Sequence, residues 1–217
     1  MSARLILALN AGGLVLPETG MIAVFHPRDA AVLSGLPMDL LIVIQPFRPD
    51  HDALADAGYD FRTDGDTLPA CAASLVFLPR AKALARALVA QAAAVTDGPI
   101  IVDGAKTDGI ETMLKECRRR TAVSAPLSKA HGKIFSLAAG PEFSDLLPGQ
   151  AHVIEGGFVT APGVFSADGI DPASRLLGDH RPGKMGAHVV DLGGGWGYLS
   201  ARALERDTIA RLDLVEA

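Results

Sequence analysis

The sequence has few cysteines, few aromatic residues and no long apolar run. Its two cysteines, Cys71 and Cys117, stand in unrelated contexts without CxxC or Cys/His spacing. They therefore indicate reduced thiols of a cytoplasmic protein rather than a structural metal site. The apolar runs are short, as in residues 40–44. None approaches the roughly 18 residues that a membrane-spanning helix needs. The sequence thus predicts no membrane span.

What the sequence does contain is typical of a globular protein. Hydrophobic residues make up 49% and charged residues 21% of the 217 positions, which is close to the average for such proteins. This length suits one large domain, or one domain with part of another. The apolar run in residues 1–13 is too short for a secretion signal, so we expect a buried strand there.

Positive charge is concentrated in one segment of an acidic chain. The net charge is -5, yet residues 80–133 hold ten Lys/Arg against five Asp/Glu. Part of this excess is the run "KECRRR" at residues 115–120, which suits the C-terminal dipole of a helix. The alternative is a patch that binds RNA phosphate, formed by Arg118, Arg119, Arg120, Lys129 and Lys133.

Strand-like and helix-like segments alternate along the first 140 residues. Strands are predicted at 21–25, 39–47, 74–80 and 98–104, and helices at 51–58, 81–95 and 109–120. Residues 121–139 then predict an antiparallel hairpin around "SKAHGK". This order predicts an α/β fold with a largely parallel sheet, arranged as in Rossmann-like methyltransferases. No glycine-rich turn follows the early strands, so we expect a degenerate, catalytically silent domain.

A second domain is expected after a Pro- and Gly-rich boundary. Three parts are predicted: a degenerate N-terminal domain at 1–140, a linker or crossing segment at 141–160, and the start of a second domain at 161–217. Within the third part, Asp171 followed by Pro172 predicts the N-cap and first position of a helix.

The segment "VVDLGGGWGYLS" at residues 189–200 carries the clearest chemical signal. It combines an apolar strand, a glycine-rich turn and the start of a helix, with glycines at every second position: Gly193, Gly195 and Gly197. Glycine is needed where the backbone takes angles closed to other residues and must approach a ligand without an intervening Cβ. The pattern predicts a cofactor-binding turn.

Two classes of cofactor use such a turn. The dinucleotide fingerprint GxGxxG fails, because the sixth position from Gly193 is Tyr198 and from Gly195 is Ser200. This disfavours a nicotinamide-dependent oxidoreductase. The S-adenosylmethionine pattern fits, with Asp191 at the strand end before the alternating glycines. Glu216 ends the next predicted strand, where a carboxylate can accept hydrogen bonds from both ribose hydroxyls of an adenosyl group.

These motifs resemble a known family. "PGVFSADGIDPASRLL" leading into "VVDLGGGWGYLS", together with "FLPRAKALARAL", "VDGAKTDGIETM" and "SKAHGKIF" upstream, is similar to the bacterial ribosomal RNA small-subunit methyltransferase C group and its relatives, the methyltransferase small domain enzymes. The resemblance implies tandem Rossmann-like methyltransferase domains, of which the first is degenerate. The second, a class I methyltransferase domain whose first βαβ unit lies in residues 161–217, methylates N2 of a guanine in ribosomal RNA in this family. The resemblance implies S-adenosylmethionine as cofactor and ribosomal RNA or the small ribosomal subunit as partner.

The resemblance also assigns roles to residues. Asp191, Gly193, Gly195 and Gly197 correspond to the cofactor loop and Glu216 to the ribose-binding acid. Three further residues line the approach to the cofactor by the same resemblance: Phe165, Asp168 and Asp171. For Asp171 the role of helix N-cap is an equal alternative.

One motif of the family does not occur in these 217 residues. The family's Asn-Pro-Pro-Phe turn, which presents the target amine to the methyl group, is missing from the sequence. Because orientation supplies most of such catalysis, we expect no turnover by this chain alone and assign it no catalytic residue. The alternative function is an RNA-binding or auxiliary module without catalysis.

Overall fold

The chain forms two compact units, Met1–Leu147 and Pro148–Ala217. The structure is a computed structural model and describes residues 2–63, 68–147, 152–182 and 184–216. The expected α/β class is confirmed in both units.

The first unit is built on a sheet of seven strands in the order β3-β2-β1-β4-β5-β7-β6. Strands β1 to β5 are parallel, and β7 pairs antiparallel with both β5 and β6. The order reverses between β1 and β4, which is where open α/β sheets form a ligand crevice at the carboxyl ends of their strands. The strands are Ile22–Phe25, Leu41–Ile44, Asp60–Arg62, Ala73–Phe77, Pro99–Ala105, Leu127–Lys129 and Gly132–Ala138.

Both faces of this sheet are buried, because consecutive apolar side chains of each strand point to opposite sides. Ala23 and Phe25 of β1 pack with helices α3 (Lys82–Val95) and α4 (Ile110–Arg120). Ile22 and Val24 pack on the other face, which α1 (Ala3–Asn10) and α2 (Arg48–Asp56) cover. The two unpaired cysteines are buried in the α3 and α4 layer, and burial raises the pKa of the Cys117 thiol to about 12.

The expectation of a strand at the N-terminus was wrong. Residues Ala3–Asn10 form helix α1, in which Leu5 and Ala8 are buried on one face. The Ser2 hydroxyl accepts a hydrogen bond from the Leu5 N–H and so caps the helix. A short apolar run does not distinguish a buried strand from a buried helix, and the serine just before it was the signal for a helix start.

The segment predicted as a linker contains ordered structure at its beginning. Residues Pro141–Leu146 form 3-10 turns, and the Phe143 side chain is buried against the α3 and α4 layer. Residues 148–151 lie outside the described residues. They are followed by β8 (His152–Val153) and β9 (Val159–Thr160), which pair antiparallel.

The second unit continues with a helix and a strand-helix-strand unit. Helix α5 spans Pro172–Asp179, with Asp171 as its N-cap. Strands β10 (His188–Leu192) and β11 (Arg211–Val215) are parallel neighbours, and helix α6 (Tyr198–Leu204) connects them. Within the described residues, no helix combines the length and apolar character needed to cross a membrane.

Candidate cofactor site

The glycine turn after β10 has the backbone geometry that its sequence predicts. Gly193, Gly195 and Gly197 have φ angles of +70°, +55° and +93°, in the left-handed region that side chains with a Cβ disfavour. A Cβ placed on Gly193 or Gly195 meets no atom within 4 Å. The backbone of the turn is therefore open on that side, so a ligand can approach it closely.

Strand β11 holds this turn in place. The Val215 carbonyl accepts hydrogen bonds from the N–H groups of Gly193 and Gly194, at 2.9 and 3.2 Å. Glu216 accepts a third from the N–H of Gly195, at 2.7 Å from its Oε2. The acid predicted from its position after the second strand thus lies directly beside the glycine turn. Its other carboxylate oxygen makes no hydrogen bond within the described residues.

Asp191 lies at the end of β10, where the sequence places it. Its Oδ2 accepts a hydrogen bond of 2.7 Å from the hydroxyl of Ser200, a buried residue of α6. The carboxylate is therefore held between the strand and the helix that flank the turn. Ser200 was not singled out from the sequence, although its position nine residues after Asp191 on the predicted helix could have indicated the contact.

A small cleft of about 70 Å³ lies against the turn. Its walls include Phe165, Asp171, Gly193, Gly194, Gly195 and Trp196. The structure thus brings two of the predicted approach residues to the turn. Phe165 is 65% exposed. The carboxylate of Asp171 is engaged with the N–H and hydroxyl of Ser174 at the start of α5, so the N-cap role predicted for it is confirmed.

Trp196 packs at the beginning of α6, within the second unit. Its ring lies 4.8 Å from that of Phe158 and 5.9 Å from that of Tyr198. Asp168, the third predicted approach residue, is exposed and does not line the cleft. Ser166 does line it, with a φ of +52° and a hydroxyl that donates to the Gly169 carbonyl. No motif in the sequence had pointed to that residue.

The first unit has a different arrangement at the equivalent place. β1 is followed by His26 and Pro27 instead of a glycine turn, and the residue after the second strand is Gln45 instead of a glutamate. Gln45 is fully buried, its amide nitrogen donates to the Pro27 carbonyl at 2.7 Å, and its oxygen accepts from the Phe47 N–H. Both polar ends of this side chain are therefore occupied by the protein itself.

Two of the five cations predicted to bind RNA are paired inside the first unit. Arg120 contacts Asp145 at 2.6 Å and lowers the pKa of that carboxyl, and Lys133 contacts Glu111 at 2.9 Å. The other three predicted cations are exposed, with no carboxylate within 4.0 Å among the described residues: Arg118, Arg119 and Lys129. In the same described ranges, no three metal-ligating side chains cluster.

Comparison with known proteins gives the same class of fold. Residues 155–217, which contain the glycine turn, match the family model "Methyltransferase small domain". The solved structure of the "T. thermophilus 16S rRNA N2 G1207 methyltransferase (RsmC) in complex with AdoMet and Guanosine" superposes with a TM-score of 0.68 at 24% identity, covering 94% of this chain and 60% of that one. The fold is therefore that of Rossmann-like methyltransferase structures.

More particularly, the chain is similar to proteins named ribosomal RNA small subunit methyltransferase C. It is 31% identical over 208 residues to the protein of that name from Pseudomonas paraeruginosa, and 28% identical over 203 residues to that from Pseudomonas aeruginosa. Each match covers 85% of this chain and 61% of the relative, so the chain spans about three fifths of the relatives' length. The predicted resemblance is confirmed.

Proposed function

We propose that the chain is the auxiliary domain and the cofactor-binding segment of an S-adenosylmethionine-dependent methyltransferase that acts on N2 of a guanine in small-subunit ribosomal RNA. The observation that carries this proposal is the open turn of three left-handed glycines beside Asp191 and Glu216. The names of the relatives, and the AdoMet and guanosine bound in the T. thermophilus structure, support the choice of cofactor and substrate.

The residues present fit such a cofactor. Gly193 and Gly195 leave open space where a Cβ would point, so a ligand can lie against the backbone. Glu216 keeps one carboxylate oxygen for a ribose hydroxyl while the other holds the Gly195 N–H. When bound, S-adenosylmethionine supplies an activated methyl group on a sulfonium.

The first unit is proposed to be a degenerate copy of the same fold. Its strand order and its helices on both faces of the sheet support common architecture. Gln45 stands where Glu216 stands in the second unit, directly after the second parallel strand, but its amide is committed to Pro27 and Phe47. A fully buried amide is out of reach of the two hydroxyls of a ribose. The unit is thus suited to a supporting role.

Turnover is proposed to need residues beyond the cofactor loop. The only asparagine of the sequence is Asn10, so no Asn-Pro-Pro-Phe turn is available to orient the target amine. Binding of the cofactor and transfer of its methyl group are therefore separable in this chain. We propose cofactor binding without methyl transfer for the 217 residues alone, in the cytoplasm, where the ribosomal RNA substrate is found.

The cofactor proposal is tested by titration with S-adenosylmethionine. Trp196 is the only tryptophan and lines the cleft, so its fluorescence reports binding directly, with calorimetry as a second readout. Asparagine tolerates a φ near +55°, so Gly195→Asn is expected to preserve the turn while its side chain fills the cleft. This variant is expected to weaken binding at least tenfold. Gly157→Asn is the matched control, because Gly157 also has a positive φ and open surroundings but does not line the cleft.

The outcomes decide between the cofactor classes. Equal affinity in the wild-type chain and Gly195→Asn, or no binding in either assay, contradicts the proposed site. Binding of NADH in place of S-adenosylmethionine supports an oxidoreductase instead. For the substrate, the 217 residues alone are expected to add no methyl group to small-subunit ribosomal RNA, measured by mass spectrometry. A longer protein in which they are joined to an Asn-Pro-Pro-Phe turn should add one N2-methylguanosine, and Asp191→Ala in that protein should abolish it.

A further inference from the structure

Five cations of the first unit stand on the side of the sheet covered by α3 and α4 without ion-pair partners. Each is exposed, and none has a carboxylate within 4.0 Å among the described residues. Arg80 precedes α3 and Lys82 is its first residue. The other three lie along α4: Lys115, Arg118 and Arg119. We call these five residues the α3–α4 basic face.

The two cations at the start of α3 oppose the local electrostatics of that helix. The N-terminus of a helix carries partial positive charge, so Arg80 and Lys82 are unfavourable there, and no acidic residue occurs in the first turn. The N-cap is Ala81, whose side chain cannot accept a hydrogen bond from the first N–H groups. Charge that conflicts with local structure in this way indicates a functional demand.

A cleft of about 160 Å³ lies between the starts of α3 and α4. Arg80, Lys82 and Arg86 contribute its positive side chains, and Thr112 of α4 contributes a hydroxyl. Two carboxylates also line it, but each is engaged: Glu116 contacts Arg86 at 2.8 Å, and Asp108 lies 3.7 Å from Arg28. Arg80 and Lys82 are therefore the cations of this cleft that remain available to an anion.

The exposed face of α4 continues from this cleft. Thr112, Lys115 and Arg119 follow one another at intervals of three and four residues, so they share one side of the helix, and Arg118 adjoins them. From Thr112 to Arg119 the helix rises about 10 Å, which is about the axial distance covered by three phosphates of one nucleic-acid strand. The C-terminal dipole of α4 stabilises the charges of Arg118 and Arg119. It does not account for Lys115 in mid-helix, or for the two cations at the start of α3.

We propose that the α3–α4 basic face binds the phosphate backbone of RNA, with one phosphate in the cleft between Arg80 and Lys82. RNA is favoured over an acidic peptide because the cations continue from the cleft along about 10 Å of α4, as the regularly spaced phosphates of one strand require. The identity of the RNA as ribosomal rests on the proposed function, while the face itself does not. This surface replaces Arg120, Lys133 and Lys129 of the sequence-based patch with Arg80, Lys82 and Lys115.

The test is fluorescence anisotropy of the full chain with a labelled single-stranded RNA at several salt concentrations. Four phosphate contacts, one of them shared by Arg80 and Lys82, give a slope of log K against log salt of about -2.8, at about 0.7 per phosphate. Arg80→Gln combined with Lys82→Gln, which removes the shared contact, is expected to reduce the magnitude of the slope by about 0.7, and Lys115→Gln by about 0.7 as well. Lys129→Gln is the matched control, since Lys129 is equally exposed but lies on β6, and should leave the slope unchanged.

Three results overturn the proposal. They are the absence of RNA binding, a slope that does not change in the α3–α4 variants, and an equal loss in Lys129→Gln. Displacement of the RNA by poly-glutamate at equal charge concentration assigns the face to an acidic protein instead. The assay contains no S-adenosylmethionine, so its failure leaves the proposed cofactor site standing, and failure of cofactor binding leaves this face standing.

Discussion

The backbone N–H of Gly195 donates a hydrogen bond of 2.7 Å to Glu216, which joins the glycine turn after β10 to the end of β11. The acid expected to hold a ribose therefore also holds the turn against which the cofactor is proposed to lie. Removal of the side chain is expected to affect the turn even before any ligand is added.

This contact gives a prediction that separates its two roles. Glu216→Ala is expected to speed amide hydrogen exchange at Gly195 by about fivefold, the factor that a hydrogen bond of about 1 kcal/mol carries. Glu216→Gln keeps an acceptor oxygen and should retain the protection. Exchange measured by NMR checks both variants, and equal exchange in wild type and Glu216→Ala means that the turn does not depend on this bond.

The Asp191–Ser200 hydrogen bond is expected to stabilise the second unit. Ser200 is 6% exposed, and its hydroxyl donates at 2.7 Å to the Asp191 carboxylate. Ser200→Ala should lower the free energy of unfolding by about 1–2 kcal/mol, since the acceptor is charged but half-exposed. Urea unfolding followed by Trp196 fluorescence measures this. Ser174→Ala, at the α5 cap, is a comparison that leaves Asp191 intact.

The buried carboxylate of Asp103 anchors helix α1 to the sheet. Asp103 is 2% exposed, forms an ion pair with Arg4 and accepts a hydrogen bond from Ser2 at 2.9 Å. Asp103→Ala leaves Arg4 half-buried without its partner and should cost about 3–5 kcal/mol. The double variant Arg4→Met with Asp103→Leu should cost less than the single one. Unfolding followed by far-UV circular dichroism measures these costs. If the cost of the double variant equals the sum of the costs of Arg4→Met and Asp103→Leu measured separately, Arg4 and Asp103 are not coupled.

A pH dependence is expected from His26, which follows β1. Burial lowers the pKa of this imidazole from 6.5, with help from Arg28, while Asp50 and Asp108 act in the opposite direction. Because the unfolded chain then binds the proton more tightly than the folded chain, protonation of His26 favours unfolding. The contribution of His26 to the free energy of unfolding is therefore fully present above pH 6.5 and is lost as the pH drops towards the folded pKa.

The variant His26→Asn isolates this contribution. Asparagine tolerates the φ of +59° at this position and does not titrate. Its free energy of unfolding should therefore decline less than that of the wild type as the pH falls below 6.5, measured by urea unfolding in a series of buffers. Parallel curves for the two proteins assign the pH dependence to other groups.

Local patterns predicted most of the elements. The strands at 21–25 and 74–80, the helices at 81–95 and 109–120, and the hairpin around Ala130 appear within a few residues of their expected bounds. Buried parallel strands and amphipathic helices leave clear periodic signals. Helix α1 was misassigned because a run of five apolar residues fits either kind of element.

The sequence by itself determined the chemistry of the glycine turn, because only residues that tolerate left-handed angles can occupy it and because their spacing differs between cofactor classes. The tertiary structure decided which charges are available. Arg120 and Lys133 look like free cations in the sequence, yet carboxylates brought close by the fold neutralise them. Among the described residues Arg80 and Lys82 have no ion-pair partner, because the partners of a charge are set by packing between distant segments, which no local pattern records.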